Sequence, residues 1–121
     1  MDFEILDSRP IWQQLTEQIR RRIVTGEYAP GGRLPSVRDL AAEAGVNPNT
    51  MQRAMAQLEG EGLIITNRTA GRTVTEDGTI RQQLRRRLAR ERLEEYFREM
   101  QQLGYDRAQA AALAEEGAKE P

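Results

Sequence analysis

The sequence predicts a mainly α-helical chain with one small β-hairpin, and three observations carry that prediction. Apolar residues recur at helical spacing through most of the chain, beginning with Ile11, Leu15, Ile19 and Ile23. Two short helical stretches meet at Gly45 with only a tight turn between them. The period changes once, where Leu63 to Thr66 and Arg72 to Thr75 form β-prone runs on either side of "NRTAG".

In "DSRPIWQQLTEQIRRRIVTGEYAPG", Asp7 and Ser8 are the expected caps of the first helix. Pro10 comes early, where a missing N–H does no harm, and the helix ends at Gly26. Arg20, Arg21 and Arg22 surround its apolar stripe and read as a surface. "YAPGGRLPS" has the composition of an ordered turn. Ser36 then caps a short helix in which Val37, Leu40, Ala41 and Ala44 share a face, while Arg38, Asp39 and Glu43 point elsewhere. Gly45 ends that helix and Asn47 caps the next, whose inward stripe is Met51, Ala54, Met55 and Leu58. At about 100° per residue, Asn49, Gln52, Arg53 and Ala56 fall on the opposite side. A helix, a tight turn with glycine, a second helix and a hairpin directly after it make a winged helix-turn-helix, with Arg68 and Arg72 at or near the tip of the wing.

The rest of the chain is helical with one break at Gly104, after which Asp106 and Gln109 make a capping pair for a last short helix. In the long helix before the break, Ile80, Leu84 and Leu88 share one face, whereas Leu93, Tyr96, Phe97, Met100 and Leu103 share another, rotated well over 90° away. The first face is expected to dock on the chain's own winged domain. The second, with Ala108, Ala111 and Ala112 of the last helix, is expected to bury against a second subunit, because two helices have too little apolar surface to stand alone. The expected organisation is a winged helix-turn-helix domain over residues 1–76 and a C-terminal two-helix dimerisation tail over 77–121. A small-molecule effector of unknown identity between paired tails, lined by Tyr96, Phe97 and Tyr105, is the alternative use of those rings; aromatics at helical spacing are more simply core. The arginines of "RQQLRRRLARER" recur on all sides rather than on one stripe, and read as a solvated flank balanced by Glu91, Glu94, Glu95 and Glu99.

Composition removes whole classes of function. Cysteine and histidine are both absent, which excludes disulfides, thiol nucleophiles, the usual general base and the commonest metal ligands. Ser36 has no histidine to activate it, so no catalytic residue, metal or cofactor is expected. No apolar run approaches the roughly 20 residues of a membrane helix, and the start "MDFEILDSRP" is acidic where a signal peptide would be basic; the expected location is the cytoplasm. A formal net charge of −1 looks wrong for a nucleic-acid binder, yet binding depends on where the charges sit rather than on their sum. The polar face of the third helix carries Asn, Thr, Gln and Arg and no acidic residue before Glu59, unlike the charge-paired "LEEYFREM" further on. The bland reading is a solvated face. The sharper one is a base-reading head, since Asn and Gln suit adenine and Arg suits guanine, with backbone N–H groups at the helix N-terminus offered to a phosphate. A winged domain used only as a protein-interaction module is the competing class.

The stretch "GEYAPGGRLPSVRDLAAEAGVNPNTMQRAMAQLEGEGLI" resembles the DNA-binding domain of the GntR family of bacterial transcription regulators, and "VNPNT" with the short helical tail resembles its YtrA subfamily. The resemblance runs from Phe3 to Val74. It implies a winged-helix homodimer on a palindromic operator, double-stranded DNA being the partner, with repression the simplest mode because a dimer seated on a promoter blocks polymerase. By residue, it implies that Ser36 and Thr50 meet phosphates, that Arg38, Asn49, Gln52 and Arg53 contact DNA, and that Gly71 is the wing glycine that enters the minor groove. The wing departs from the family pattern: Arg68 or Thr69 stands where a second glycine is common, and Thr73 where an aromatic is. Arg68 or Arg72 is still expected to touch the DNA backbone.

Overall fold

A computed structural model describes residues 2–120. In chain order the elements are α1 (Ile11–Val24), α2 (Val37–Ala44), α3 (Pro48–Gly60), β1 (Ile64–Asn67), β2 (Gly71–Val74), α4 (Gly78–Gln102) and α5 (Arg107–Lys119). The chain forms two compact units, residues 1–84 and 85–121, with the boundary inside α4. Among the described residues no helix is long and apolar enough to cross a membrane.

The first unit is built on the inward stripes read from the sequence. Leu15, Ile19 and Ile23 of α1, Leu40 of α2, and Met51, Ala54, Met55 and Leu58 of α3 are fully buried. Burial of such side chains contributes about 1.5–3 kcal/mol each, and this core sets the angle at which α3 is presented. Between α2 and α3 the chain turns at Gly45, whose φ of 69° is left-handed. There Val46 N–H bonds Ala41 C=O and Gly45 N–H bonds Ala42 C=O, a Schellman closure that leaves no room for a longer loop.

The expected caps of α1 are corrected. Pro10 occupies the N-cap position and no side chain caps the helix. The N-terminal arm is tied down instead from within the helix: Gln14 accepts from Leu6 N–H and donates to Leu6 and Arg9 C=O, while Gln18 accepts from Glu4 N–H and donates to Glu4 C=O. These amides can bond both ways, so they satisfy an extended strand of backbone that a hydroxyl cap would not reach. The surface reading of Arg20 and Arg22 is corrected as well. Arg22 is 2 % exposed. Its guanidinium lies 4.0 Å over the Phe3 ring, donates to Tyr28 Oη at 2.6 Å and reaches Glu43 at 3.3 Å. Arg20 forms a bidentate pair with Glu61 at 2.9 and 2.5 Å. Burial of a guanidinium is tolerated only with such partners, and the partners come from distant parts of the chain.

β1 and β2 pair antiparallel with Ile64 opposite Val74 and Asn67 opposite Gly71. Their bounds lie one residue from those expected, because the three-residue loop Arg68–Ala70 closes on Gly71 at φ 74°, the left-handed position of a hairpin of this length. Asn67 Oδ1 accepts from the N–H groups of Thr69 and Ala70 and fixes the loop. The ordered turn before α2 lies along β2: Gly31 N–H bonds Val74 C=O, Val74 N–H bonds Gly32 C=O, and Leu34 N–H bonds Arg72 C=O. Leu84 is buried and Ile80 half-buried, with Ile80 Cδ1 against Gly62.

In the second unit the capping box of Asp106 and Gln109 is formed. It sets the phase of α5 so that Ala110, rather than Ala108, Ala111 or Ala112, is the buried alanine, and Tyr96 Oη donates to Ala110 C=O at 2.6 Å. Tyr96 and Phe97 meet edge to face, and Arg107 covers the Phe97 ring at 4.3 Å while pairing with Glu94. That pair holds the Glu94 carboxyl below the usual carboxylate range, chiefly through its hydrogen bond from Arg107. Met100 is half-buried, whereas Leu93 and Leu103 are exposed.

Candidate nucleic-acid interface

Two helix starts and the hairpin supply the residues singled out in the sequence. At the start of α2, Ser36 Oγ accepts from Asp39 N–H at 3.1 Å, so Ser36 is an N-cap. The N–H groups of Val37 and Arg38 have no acceptor among the described residues, and the exposed Arg38 side chain makes no ion pair there.

At the start of α3 the expected offer of backbone donors is corrected. Pro48 has no N–H, Asn49 N–H is taken by Asn47 Oδ1 at 2.8 Å, and the N–H groups of Thr50 and Met51 both bond Asn47 C=O. The cap is complete, so what this end still presents is the dipole and the side chains of Asn49 and Thr50. Asn49, Gln52, Arg53 and Ala56 are all exposed on one side of α3, as the periodicity requires. Arg53 does not stand alone: its guanidinium stacks over the Trp12 indole at 4.1 Å.

The hairpin divides its arginines. Arg68 is exposed in the loop with no hydrogen bond or ion pair among the described residues. Arg72 sits on β2 opposite Thr66, one pair below the loop-closing Asn67–Gly71, and its side chain bonds to α3. Its Nε donates to Glu59 Oε1 at 2.6 Å and its Nη2 to Gln52 Oε1 at 3.4 Å. The hydrogen bond from Arg72 holds the Glu59 carboxyl below the usual carboxylate range, against the opposing effect of partial burial. Gly71 is half-buried and is flanked by Arg33, a residue the sequence reading passed over; a Cβ on Gly71 would lie 3.7 Å from Arg33 Nε. Trp12 and Glu59 were passed over as binding-face residues too, since neither periodicity nor spacing shows which side chains lean on a polar face. No group of His, Cys, Asp or Glu suited to a metal ion occurs among the described residues.

A short donor-bearing helix held outward by its partner, beside a small hairpin, is the geometry of a winged helix-turn-helix. Residues 12–74, more than half of the chain, match the family model described as bacterial regulatory proteins, gntR family. The chain belongs to the GntR family. It is a DNA-binding transcription regulator and not an enzyme. The transcriptional regulator YhcF of Bacillus subtilis is 40 % identical over 104 residues, 86 % of each chain. The transcriptional repressor YtrA of the same organism is 41 % identical over 70 residues, 58 % of this chain and 54 % of that one. Among solved structures, a GntR family transcriptional regulator from Listeria monocytogenes superposes with a TM-score of 0.84 at 39 % identity, covering 93 % of this chain and 98 % of that one.

Proposed function

We propose that this GntR regulator is a repressor that binds a palindromic operator as a homodimer. Residues 1–76 are the DNA-binding domain and residues 77–121 the dimerisation tail. The observation that carries the reading is the exposed, donor-bearing face of α3, on which Asn49, Gln52 and Arg53 stand together with no carboxylate before Glu59. Asn49, Gln52 and Arg53 read base edges in the major groove, Arg38 contacts the DNA beside them, Ser36 and Thr50 meet phosphates, and the wing enters with Gly71 at the minor groove and Arg68 or Arg72 on the backbone.

Dimerisation is supported by the second unit's exposed apolar residues, with Leu93 at 49 % and Leu103 at 72 % exposure and Ala108, Ala111 and Ala112 on the surface of α5. Tyr96, Phe97 and Met100 contribute to the same helix face. Tyr96 and Phe97 are engaged with Ala110 and Arg107, which makes those rings packing groups rather than the lining of an effector site between paired tails. Repression is the simplest mode, since a dimer seated on a promoter blocks polymerase without further equipment, and the named repressor YtrA is among the relatives.

The test is footprinting on the duplex upstream of the protein's own gene, with a salt titration, beside sedimentation equilibrium of the free protein. Two symmetric half-sites about one or more helical turns apart are expected, with a dimer at micromolar concentration. A monomer that protects one half-site overturns the dimer proposal. Protection that survives substitution of both Asn49 and Gln52 by alanine, without change in sequence preference, overturns the assignment of α3.

A further inference from the structure

We infer that Arg33 is a wing-side DNA contact of this protein, meeting a backbone phosphate beside Gly71; the inference rests on the docking of α3 and the wing proposed above. Arg33 lies outside α1, α2 and α3, in the turn that runs along β2. Its backbone is fixed from both sides. Arg33 forms a bridge with Thr73, Val74 N–H bonds Gly32 C=O at 3.0 Å, and Leu34 N–H bonds Arg72 C=O at 2.9 Å. The turn therefore moves with the wing as a third extended segment, and its side chain is delivered to the wing rather than to the core.

The guanidinium ends beside the wing glycine. A Cβ on Gly71 would lie 3.7 Å from Arg33 Nε and 3.9 Å from Nη2, so the guanidinium lies within van der Waals reach of the bare flank of Gly71. Gly71 brings bare backbone close to DNA, and Arg33 supplies the charge that glycine lacks.

Charge pairing separates Arg33 from its neighbours. Arg72, Arg20 and Arg22 are each neutralised, by Glu59, by Glu61, and by Glu43 with Glu27. Arg33 is exposed and makes no ion pair or hydrogen bond among the described residues. An arginine with a fixed backbone, an open fork and no carboxylate partner is suited to donate two hydrogen bonds to one phosphate. Arg72, by contrast, would have to give up Glu59 before it could do so. Arg33 and Arg68 are then the wing's two phosphate contacts, and Arg72 serves to tie the wing to α3.

The experiment is fluorescence anisotropy on two duplexes of equal length, across about 50 to 200 mM salt. One is an operator recovered by selection from a random-sequence pool, the other a mixed-sequence duplex. Each phosphate contact contributes about 0.9 to the slope of log K against log salt, which amounts to about eightfold in affinity near 0.1 M. Arg33→Ala is expected to lower the slope by about that amount on both duplexes, with the melting temperature unchanged because the side chain is exposed and unpaired. Arg33→Lys is expected to keep most of the slope. An unchanged slope for Arg33→Ala on both duplexes overturns the inference, and a loss confined to the operator overturns it in favour of base reading. Failure of the α3 assignment is distinguishable, since it would show as unchanged sequence preference in Asn49→Ala and Gln52→Ala whatever Arg33 does.

Discussion

Ser36 carries two proposed tasks that one substitution can separate. Its Oγ accepts from Asp39 N–H at 3.1 Å and so caps α2, and it is also proposed to meet a phosphate. Ser36→Ala removes both. Loss of an N-cap costs about 1 kcal/mol, which for a domain of this size lowers Tm by about 4–8 °C. Ser36→Asp removes only the second, because aspartate caps as well as serine and its charge is favourable at a helix N-terminus. Its carboxylate would stand next to the phosphate. At a separation of about 4 Å the repulsion is about 1 kcal/mol in bulk water and about 4 kcal/mol at the effective dielectric of a protein surface. Affinity for operator DNA should therefore fall between about fivefold and several hundredfold, with Tm retained. Thermal unfolding by circular dichroism and anisotropy titration measure the two effects independently. If Ser36→Asp melts like the parent and also binds DNA as tightly, with the same salt slope, Ser36 is a cap and nothing more.

Three further outcomes follow from contacts behind the binding face. Met55 is fully buried in α3, so Met55→Ala should destabilise the protein by about 2–5 kcal/mol, read from urea unfolding. Trp12 and Arg53 should couple by about 0.5–1 kcal/mol in a double-mutant cycle of Trp12→Leu and Arg53→Ala, the value for a partly exposed cation over a ring; additivity would show that the stack contributes nothing. The Glu59 carboxyl is held below its unfolded-state pKa by Arg72, so its contribution to stability is present above the unfolded value, about 4.3, and is lost as pH falls through the lower folded value. Glu59→Gln should accordingly be less stable than the parent at pH 7 and converge with it in acid, and parallel pH profiles would contradict the pairing.

The parts of the fold legible in the sequence were those fixed by neighbours in the chain. Ser36 before Val37, Gly45 before Asn47, and Asp106 three residues before Gln109 are local signals; α2 begins and ends, and α3 and α5 begin, where those residues place them. The outward face of α3 was legible for the same reason, since 3.6 residues per turn puts Asn49, Gln52 and Arg53 together whatever surrounds them. What could not be read is the use of a charged side chain. Arg20, Arg21 and Arg22 are the same residue three times over, yet Arg22 is buried beneath Phe3 and Tyr28, Arg20 grips Glu61, and Arg21 is exposed. Their phase relative to the apolar stripe differs by a single position, and the partners arrive from as far as 41 residues away. Arg33, and the partners that Arg72 finds on α3, went unread for a related reason. The turn before α2 follows no period, so its pairing with β2, which aims Arg33 at Gly71, belongs to tertiary structure alone.

The contacts on the binding face bear on how tightly it can bind, because they orient donors without consuming them. Stacking on Trp12 occupies one face of the Arg53 guanidinium, whereas its N–H donors lie around the edge and stay available to a guanine. The Gln52 amide is turned by the hydrogen bond from Arg72 to its Oε1, which leaves both Nε2 hydrogens and the second lone pair of Oε1 for a base edge. Long polar side chains otherwise lose about 0.5–1.5 kcal/mol each when immobilised at an interface. Part of that ordering is already present in the free protein for Gln52 and Arg53, whereas Asn49, with no such support, still has it to lose. Substituting Trp12 or Arg72 should therefore weaken operator binding even though neither residue reads a base, and should do so more on the operator than on mixed-sequence DNA.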